Sequence, residues 1–213
     1  MNILYSDEHL AAAVKPCGVL SEIDENKPNM PSLLCEALGC ETVYPVHRLD
    51  RTTQGVMVYA KTPEAARRLS EAFQAHKVDK TYLAVVGGVP TEPEGELTDL
   101  LFYDRRAGKS YVARRKRAGV KEARLSYRLL GTGERDGAEI SLLNVKLYTG
   151  RTHQIRAQFA SRGMPLVGDR RYGSRVKSDD IMLCAYRLCL THPFTGEELC
   201  FEYEPEGFFR IRN

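Results

Sequence analysis

The stretch KEARLSYRLL at 121–130 alternates strictly. Ala123, Leu125, Tyr127 and Leu129 fall on one side of an extended chain, and Arg124, Ser126 and Arg128 fall on the other. A strand turns successive side chains to opposite faces, so a period of two predicts a sheet with one buried and one wet face. Antiparallel sheets commonly look like this, whereas parallel sheets are covered on both sides. Working outward, strand patterns recur at 81–86 and 139–148, and further off at 2–5, 10–14, 55–61, 182–190 and 198–203. The first two of these distant strands flank Ser6, Asp7 and Glu8, which predicts a hairpin. Helical spacing is confined to three places. Pro31 opens a short pattern of Leu33, Leu34, Ala37 and Leu38 that Gly39 stops; Thr62 and Pro63 serve as N-cap and first residue before Ala66, Leu69, Ala72 and Phe73; and 152–162 places Ile155, Phe159 and Ala160 inward before Gly163. Many strands, few helices and no regular strand-helix-strand alternation predict an α+β fold, a mixed and mainly antiparallel sheet with few flanking helices. The length, 213 residues, suits one well-filled core, so a single domain over 1–213 is expected.

Composition narrows the class. Hydrophobic residues at 43% and charged residues at 28% fit a globular protein and exclude a disordered or fibrous chain. The opening MNILYSDEHL carries charges and precedes no long apolar run, which predicts neither a secretory signal nor a membrane span and places the chain in the cytoplasm. In that reducing compartment the cysteines Cys17, Cys35, Cys40, Cys184, Cys189 and Cys200 are expected as free buried thiols. A zinc site from Cys35, Cys40, Cys184 and Cys189 is the less favoured alternative, because no paired two-residue knuckle is present. Net charge is only +3, but it is unevenly spread. Arg105, Arg106, Lys109, Arg114, Arg115, Lys116, Arg117, Lys121 and Arg124 face a single acid, Glu122, within one stretch, and the remainder of the chain is net acidic. A polyanion is the natural partner, with a solvated basic loop as the alternative.

Three segments carry chemistry. HRLDRTTQG at 47–55 sets Asp50 between Arg48 and Arg51 in a polar loop before an apolar strand, so an ionised carboxylate able to act as nucleophile or base is expected. A surface Asp closing a turn would give the same letters. GRTHQIRAQFA at 150–160 puts Arg151, His153 and Arg156 at the opening of a helix, where cations beside free N–H groups favour an anion, unless the face is merely solubilising. KTYLAVVGG at 80–88 begins an apolar strand with Tyr82, read either as a core tyrosine with its hydroxyl at the rim or as a site residue.

Taken in order, these segments resemble the RluA-type pseudouridine synthase family. AVKPCGVL at 13–20 is similar to its lysine-proline-glycine motif, HRLDRTTQG to its HRLDxxTSG signature, and KTYLA to the strand bearing its active-site Tyr. The likeness continues through TGRTHQIRAQFASRGMPLVGDRRYG at 149–173 and LCAYRLCLTHP at 183–193. The resemblance implies the catalytic fold of that family, Asp50 as catalytic residue, Tyr82 as the ring meeting the target base, and Arg156 as partner of the Asp50 carboxylate. It further implies Leu183 as the apolar side chain closing the pocket, and His47, Arg48, Thr53, Arg151, His153 and Gln154 as substrate contacts. The basic run Arg114, Arg115, Lys116 and Arg117 joins them as the phosphate-binding element, since no room precedes Ile3 for the separate RNA-binding S4 domain of many relatives. Two letters depart from the family pattern: Gln54 stands for its usual Ser and Cys184 for its usual His.

The implied reaction is uridine to pseudouridine in ribosomal or transfer RNA, with no cofactor, no metal, no obligate protein partner and a monomeric enzyme. A fold-retaining RNA-binding module without turnover is the alternative. A metal-dependent hydrolase built on His47, Asp50 and His153 lacks ligand spacing.

Overall fold

The computed structural model describes residues 1–205. In chain order these form β1 (Ile3–Ser6), β2 (Leu10–Lys15), α1 (Met30–Leu38), β3 (Tyr44–Pro45), β4 (Gln54–Ala60), α2 (Pro63–Gln74) and β5 (Asp79–Gly87). There follow β6 (Glu94–Asp104), β7 (Lys109–Ala113), β8 (Val120–Arg135), β9 (Ala138–Leu147), α3 (Gln154–Ala160), a 3-10 turn at Arg170–Tyr172, β10 (Leu183–Thr191) and β11 (Glu198–Glu202). The predicted α+β class holds. The described residues divide into two compact units, one of 1–80 with 184–205 and one of 81–183.

In the first unit β4 is central. It pairs antiparallel with β2 and with the two-residue β3, and parallel with β10 at Gln54 and Gly55; β1 and β11 extend the sheet beyond β2 and β10. From Gly55 to Ala60 every residue of β4 is buried, so this strand shows no wet face. Gly55 has φ 126, and a Cβ there would run into the Ala185 backbone; only glycine lets β10 lie so close to the start of β4. Helix α2 follows the sequence signals: Thr62 caps the Ala65 N–H, Pro63 occupies the first turn, and Ala65 and Leu69 enter a core with Val56, Val58, Leu188 and Leu190. Helix α1 starts one residue earlier than Pro31, capped by Asn29, and stops at the left-handed Gly39 as expected.

The second unit is an antiparallel sheet in the order β5, β9, β8, β6, β7. The alternating stretch at 121–130 lies within the sixteen residues of β8, and Ala123 and Leu125 are fully buried. Strands β6 and β7 lie outside the elements that the sequence predicts, and with β8 they turn the basic stretch into part of a three-stranded ribbon whose connections are residues 105–108 and 114–119.

The cysteines correct an expectation. Cys189 and Cys200 are register partners on β10 and β11 and are joined by a disulfide, with Cα atoms 4.1 Å apart. Two thiols placed opposite each other on paired strands are within bonding reach without chain movement. Cys17, Cys35, Cys40 and Cys184 are free. Among the described residues no helix is long and apolar enough to cross a membrane.

Candidate functional site

In the first unit the chain on both sides of Asp50 is held by residues 15–21. Ser21 Oγ donates to Leu49 O at 2.8 Å and accepts the Leu49 N–H at 3.0 Å. Gly18 N–H donates to Arg51 O at 2.8 Å, and Cys17 Sγ lies 3.4 Å from Thr52 O. Thr53 N–H closes a turn onto Asp50 O at 2.9 Å, and Thr53 itself is buried. Beneath these contacts lies Lys15, fully buried, its ammonium donating to Pro16 O, Val19 O and Arg51 O at 2.9, 2.8 and 3.2 Å. Burial pushes its pKa down to about 8, against the opposing electrostatic pull of Cys17 and Asp50. The lysine of the AVKPCGVL motif is therefore a support of the Asp50 loop that sequence reading passes over. Its acceptors are main-chain oxygens, which leave no letter in a sequence.

The residues flanking Asp50 have partners of their own. Arg48 is exposed and reaches Glu22 at 3.6 Å. His47 accepts the Val58 N–H on Nε2 at 3.0 Å and stacks on Phe73 of α2, ring centroids 4.5 Å apart. Burial, with Lys80 nearby, pushes its pKa down to about 3, so the ring is neutral and ties the loop to β4 and α2. Gln54 and Cys184, the two departures from the resemblance, prove to be register partners on the parallel pair β4 and β10. Burial pushes the Cys184 thiol up to about 12, so it stays a neutral, apolar filler.

In the second unit Tyr82 sits on β5 opposite Val145 and is 8% exposed. The GRTHQIRAQFA segment does not gather its cations on one anion. Arg151 Nε donates to Glu122 O at 2.8 Å. Gln154 is buried and acts as a brace: its Oε1 accepts from Arg151 N and Thr149 Oγ1, and its Nε2 donates to Arg124 O. His153, in the left-handed region at φ 54, brings Nδ1 to 3.1 Å from Tyr172 Oη. That hydroxyl also accepts the Ser110 N–H at 2.7 Å.

Arg156 is 3% exposed, and its fork grips Asp169 through Nε to Oδ2 at 2.6 Å and Nη2 to Oδ1 at 3.0 Å. Asp169 is wholly buried; it also caps the turn at Arg170–Tyr172, and the guanidinium lies 5.0 Å from the Tyr172 ring centroid. A bidentate ion pair of this kind fixes the plane of the guanidinium as well as its place. In the sequence Asp169 stands only as part of GDRRYG, with nothing to mark it as the partner of a residue in the preceding helix. Leu183 is buried at the start of β10.

Arg114, Arg115, Lys116 and Arg117 are all exposed in the β7–β8 connection. Among the described residues no group of three or more His, Cys, Asp or Glu side chains is placed to hold a metal.

The family model described as RNA pseudouridylate synthase matches residues 9–161, a span that includes Asp50, Tyr82 and Arg156. An uncharacterized RNA pseudouridine synthase of Aquifex aeolicus is 37% identical over 98% of the chain and 71% of its own length. The dual-specificity RNA pseudouridine synthase RluA of Yersinia pestis is 31% identical over 97% of the chain and 100% of its own length. Among solved structures, human RNA Pseudouridylate Synthase Domain Containing 1 superposes with a TM-score of 0.81 at 24% identity, covering 95% of this chain and 83% of that one, which establishes likeness of fold.

Proposed function

Because the chain belongs to the RNA pseudouridylate synthase family, with RluA-type relatives, we propose that it isomerises uridine in structured ribosomal or transfer RNA with Asp50 as the nucleophile. Asp50 attacks the uracil ring or the ribose anomeric carbon. The C1′–N1 bond breaks, the uracil turns, a C1′–C5 bond forms, the bond from Asp50 breaks again to return the free carboxylate, and the proton lost from carbon 5 is balanced by the one gained at N1. No redox change occurs, and the chemistry proceeds on the protein's own groups. Tyr82 is the ring that meets the target base, with its hydroxyl placed to take the carbon 5 proton. Arg156 supplies the cation of the site, and Leu183 its apolar wall. The target must leave its stack to react, which costs a few kcal/mol that phosphate contacts offset. Arg114, Arg115, Lys116 and Arg117 make those contacts.

The observation that carries this reading is the treatment of the Asp50 loop: Leu49, Arg51 and Thr52 are each held by residues 15–21, while Asp50 itself remains half-buried. A turn-closing surface Asp would not warrant such a frame. The family match runs through both units, which supports treating 1–213 as one catalytic domain. The same reading makes the enzyme a cytoplasmic monomer.

RNA tritiated at carbon 5 of uridine tests the proposal: label should pass to water with this protein alone, and equally after treatment with EDTA. Release that requires added metal would overturn it. Replacing Arg114, Arg115, Lys116 and Arg117 by Ala should weaken RNA binding and flatten the log-log salt slope by roughly 0.7 to 0.9 for each phosphate no longer neutralised.

A further inference from the structure

Tyr111 on β7 is the register partner of Phe102 on β6, and Phe102 is in turn the partner of Val120 on β8. Partners across a pleated sheet project on the same side, so the three form one row on a single face. The residues one step along point the other way. Leu101 packs with Ala157 of α3 and with Tyr172, and Ser110 Oγ donates to Thr152 O at 2.5 Å. The row therefore lies on the face turned away from α3. Strand β7 ends the sheet order, and Tyr111 keeps 44% of its surface in solvent.

Cations lie at both ends of the row. The Arg117 guanidinium is 4.9 Å from the Phe102 ring centroid, and Lys109 Nζ sits at the sheet edge between two rings, 5.4 Å from that of Tyr111 and 4.7 Å from that of Tyr172. Gly119, with φ 78, brings the connection down onto Phe102: a Cβ there would sit 3.5 Å from that ring. Exposed Arg114, Arg115 and Lys116 lie in the same short connection. An exposed ring, backed by a second ring and edged with five basic side chains, is the combination that holds unpaired nucleic acid: rings take base faces and cations take phosphates. A duplex keeps its bases stacked on one another and offers the ring no free face.

Resting on the RNA-modifying reading above, we propose that Tyr111, backed by Phe102, is a stacking platform for an unpaired base of the RNA other than the target, with Arg114, Arg115, Lys116 and Arg117 on the adjoining phosphates. Extruding one nucleotide strips a stacking partner from its neighbours, and a ring on the enzyme replaces it. The platform selects single-stranded loops over helices.

The chain contains no tryptophan, so Tyr111→Trp creates a single emissive reporter. Its emission should be quenched by an unpaired RNA oligonucleotide and left unchanged by polyphosphate, a polyanion without bases, bound at the same low salt. Tyr111→Leu should lower affinity for the oligonucleotide roughly ten- to a hundredfold with the salt slope unchanged, and Tyr111→Phe, which keeps the ring, should bind as the parent does. Equal quenching by polyphosphate, equal quenching by duplex RNA, or full affinity in Tyr111→Leu would overturn the platform. Tritium release by the unaltered protein separates the two claims. Release without quenching sinks the platform alone, and quenching without release sinks the isomerase reading alone.

Discussion

The loop carrying Asp50 and the helix carrying Arg156 are secured by different kinds of contact. Around Asp50 the fastening acts on the main chain: a serine hydroxyl, a glycine N–H and one buried ammonium meet the oxygens of Leu49 and Arg51. At Arg156 it acts on the side chain itself, through the full opposite charge of the buried Asp169. The difference teaches what each group needs. On the proposed reading, a nucleophile is best delivered by a stiff backbone, because its own carboxylate must change partners during reaction, whereas a cation that is never consumed can be bolted down by its own charge. Neutral fastenings fail singly and by small amounts; a buried charge deprived of its partner fails heavily.

The largest effect should come from Asp50→Asn, which keeps the shape but removes the anion. Turnover in the tritium assay should fall at least about a thousandfold at every pH, roughly 4 kcal/mol of barrier, with RNA binding little changed. Measurable activity, once deamidation back to Asp is excluded by mass spectrometry, would break the contrast by making this loop no more special than its neighbours. Next in size is Asp169→Asn. It leaves the Arg156 charge buried against a neutral amide and should cost about 3 to 5 kcal/mol in urea unfolding. A loss below about 1 kcal/mol, the scale of a neutral hydrogen bond, would mean that the charged fastening is no stronger than the others.

Lys15 lies between the two types, a charge held only by carbonyls, and pH exposes it. Its folded pKa of about 8 is below the unfolded value, so the unfolded chain binds more protons between about 8 and 10.5. Stability relative to Lys15→Met should therefore rise with pH across that window, by up to about 3 kcal/mol, and be flat below it. A flat difference throughout would show that the three carbonyls fully offset burial. The smallest effect belongs to Ser21→Ala. It removes one neutral clamp from Leu49 and should cost about 1 to 2 kcal/mol, read by the same unfolding curves.

Legibility in the sequence follows the reach of each signal. Helix α2 and strand β8 announce themselves through caps and alternation spanning a dozen residues or so, and both stand where expected. Strand β6 does not, because EGELTDLLFYD mixes acids with apolar residues and buries only Leu97 and Leu101. The five residues of β7 are hidden inside a basic run. At the candidate site the motifs point to Asp50, Tyr82 and Arg156, yet they leave Lys15 and Asp169 unassigned. The contact that ties Lys15 to the Asp50 loop spans 36 residues and the one between Asp169 and Arg156 spans 13, and nothing in the letters says which carbonyl or which arginine they meet. The disulfide escapes for the same reason. The register of β10 against β11 sets Cys189 opposite Cys200, and composition cannot see register.

The pairing of Gln54 with Cys184 makes two far-separated departures from the family pattern into one locus. Cys184 is sealed from solvent and neutral, and Gln54 faces it across parallel strands at the point where Gly55 already excludes any bulk. In genetic terms the two positions are expected to be epistatic, the effect of a letter at one depending on the letter at the other. Chimeras that graft either strand alone from an RluA-type relative would inherit one half of a matched pair.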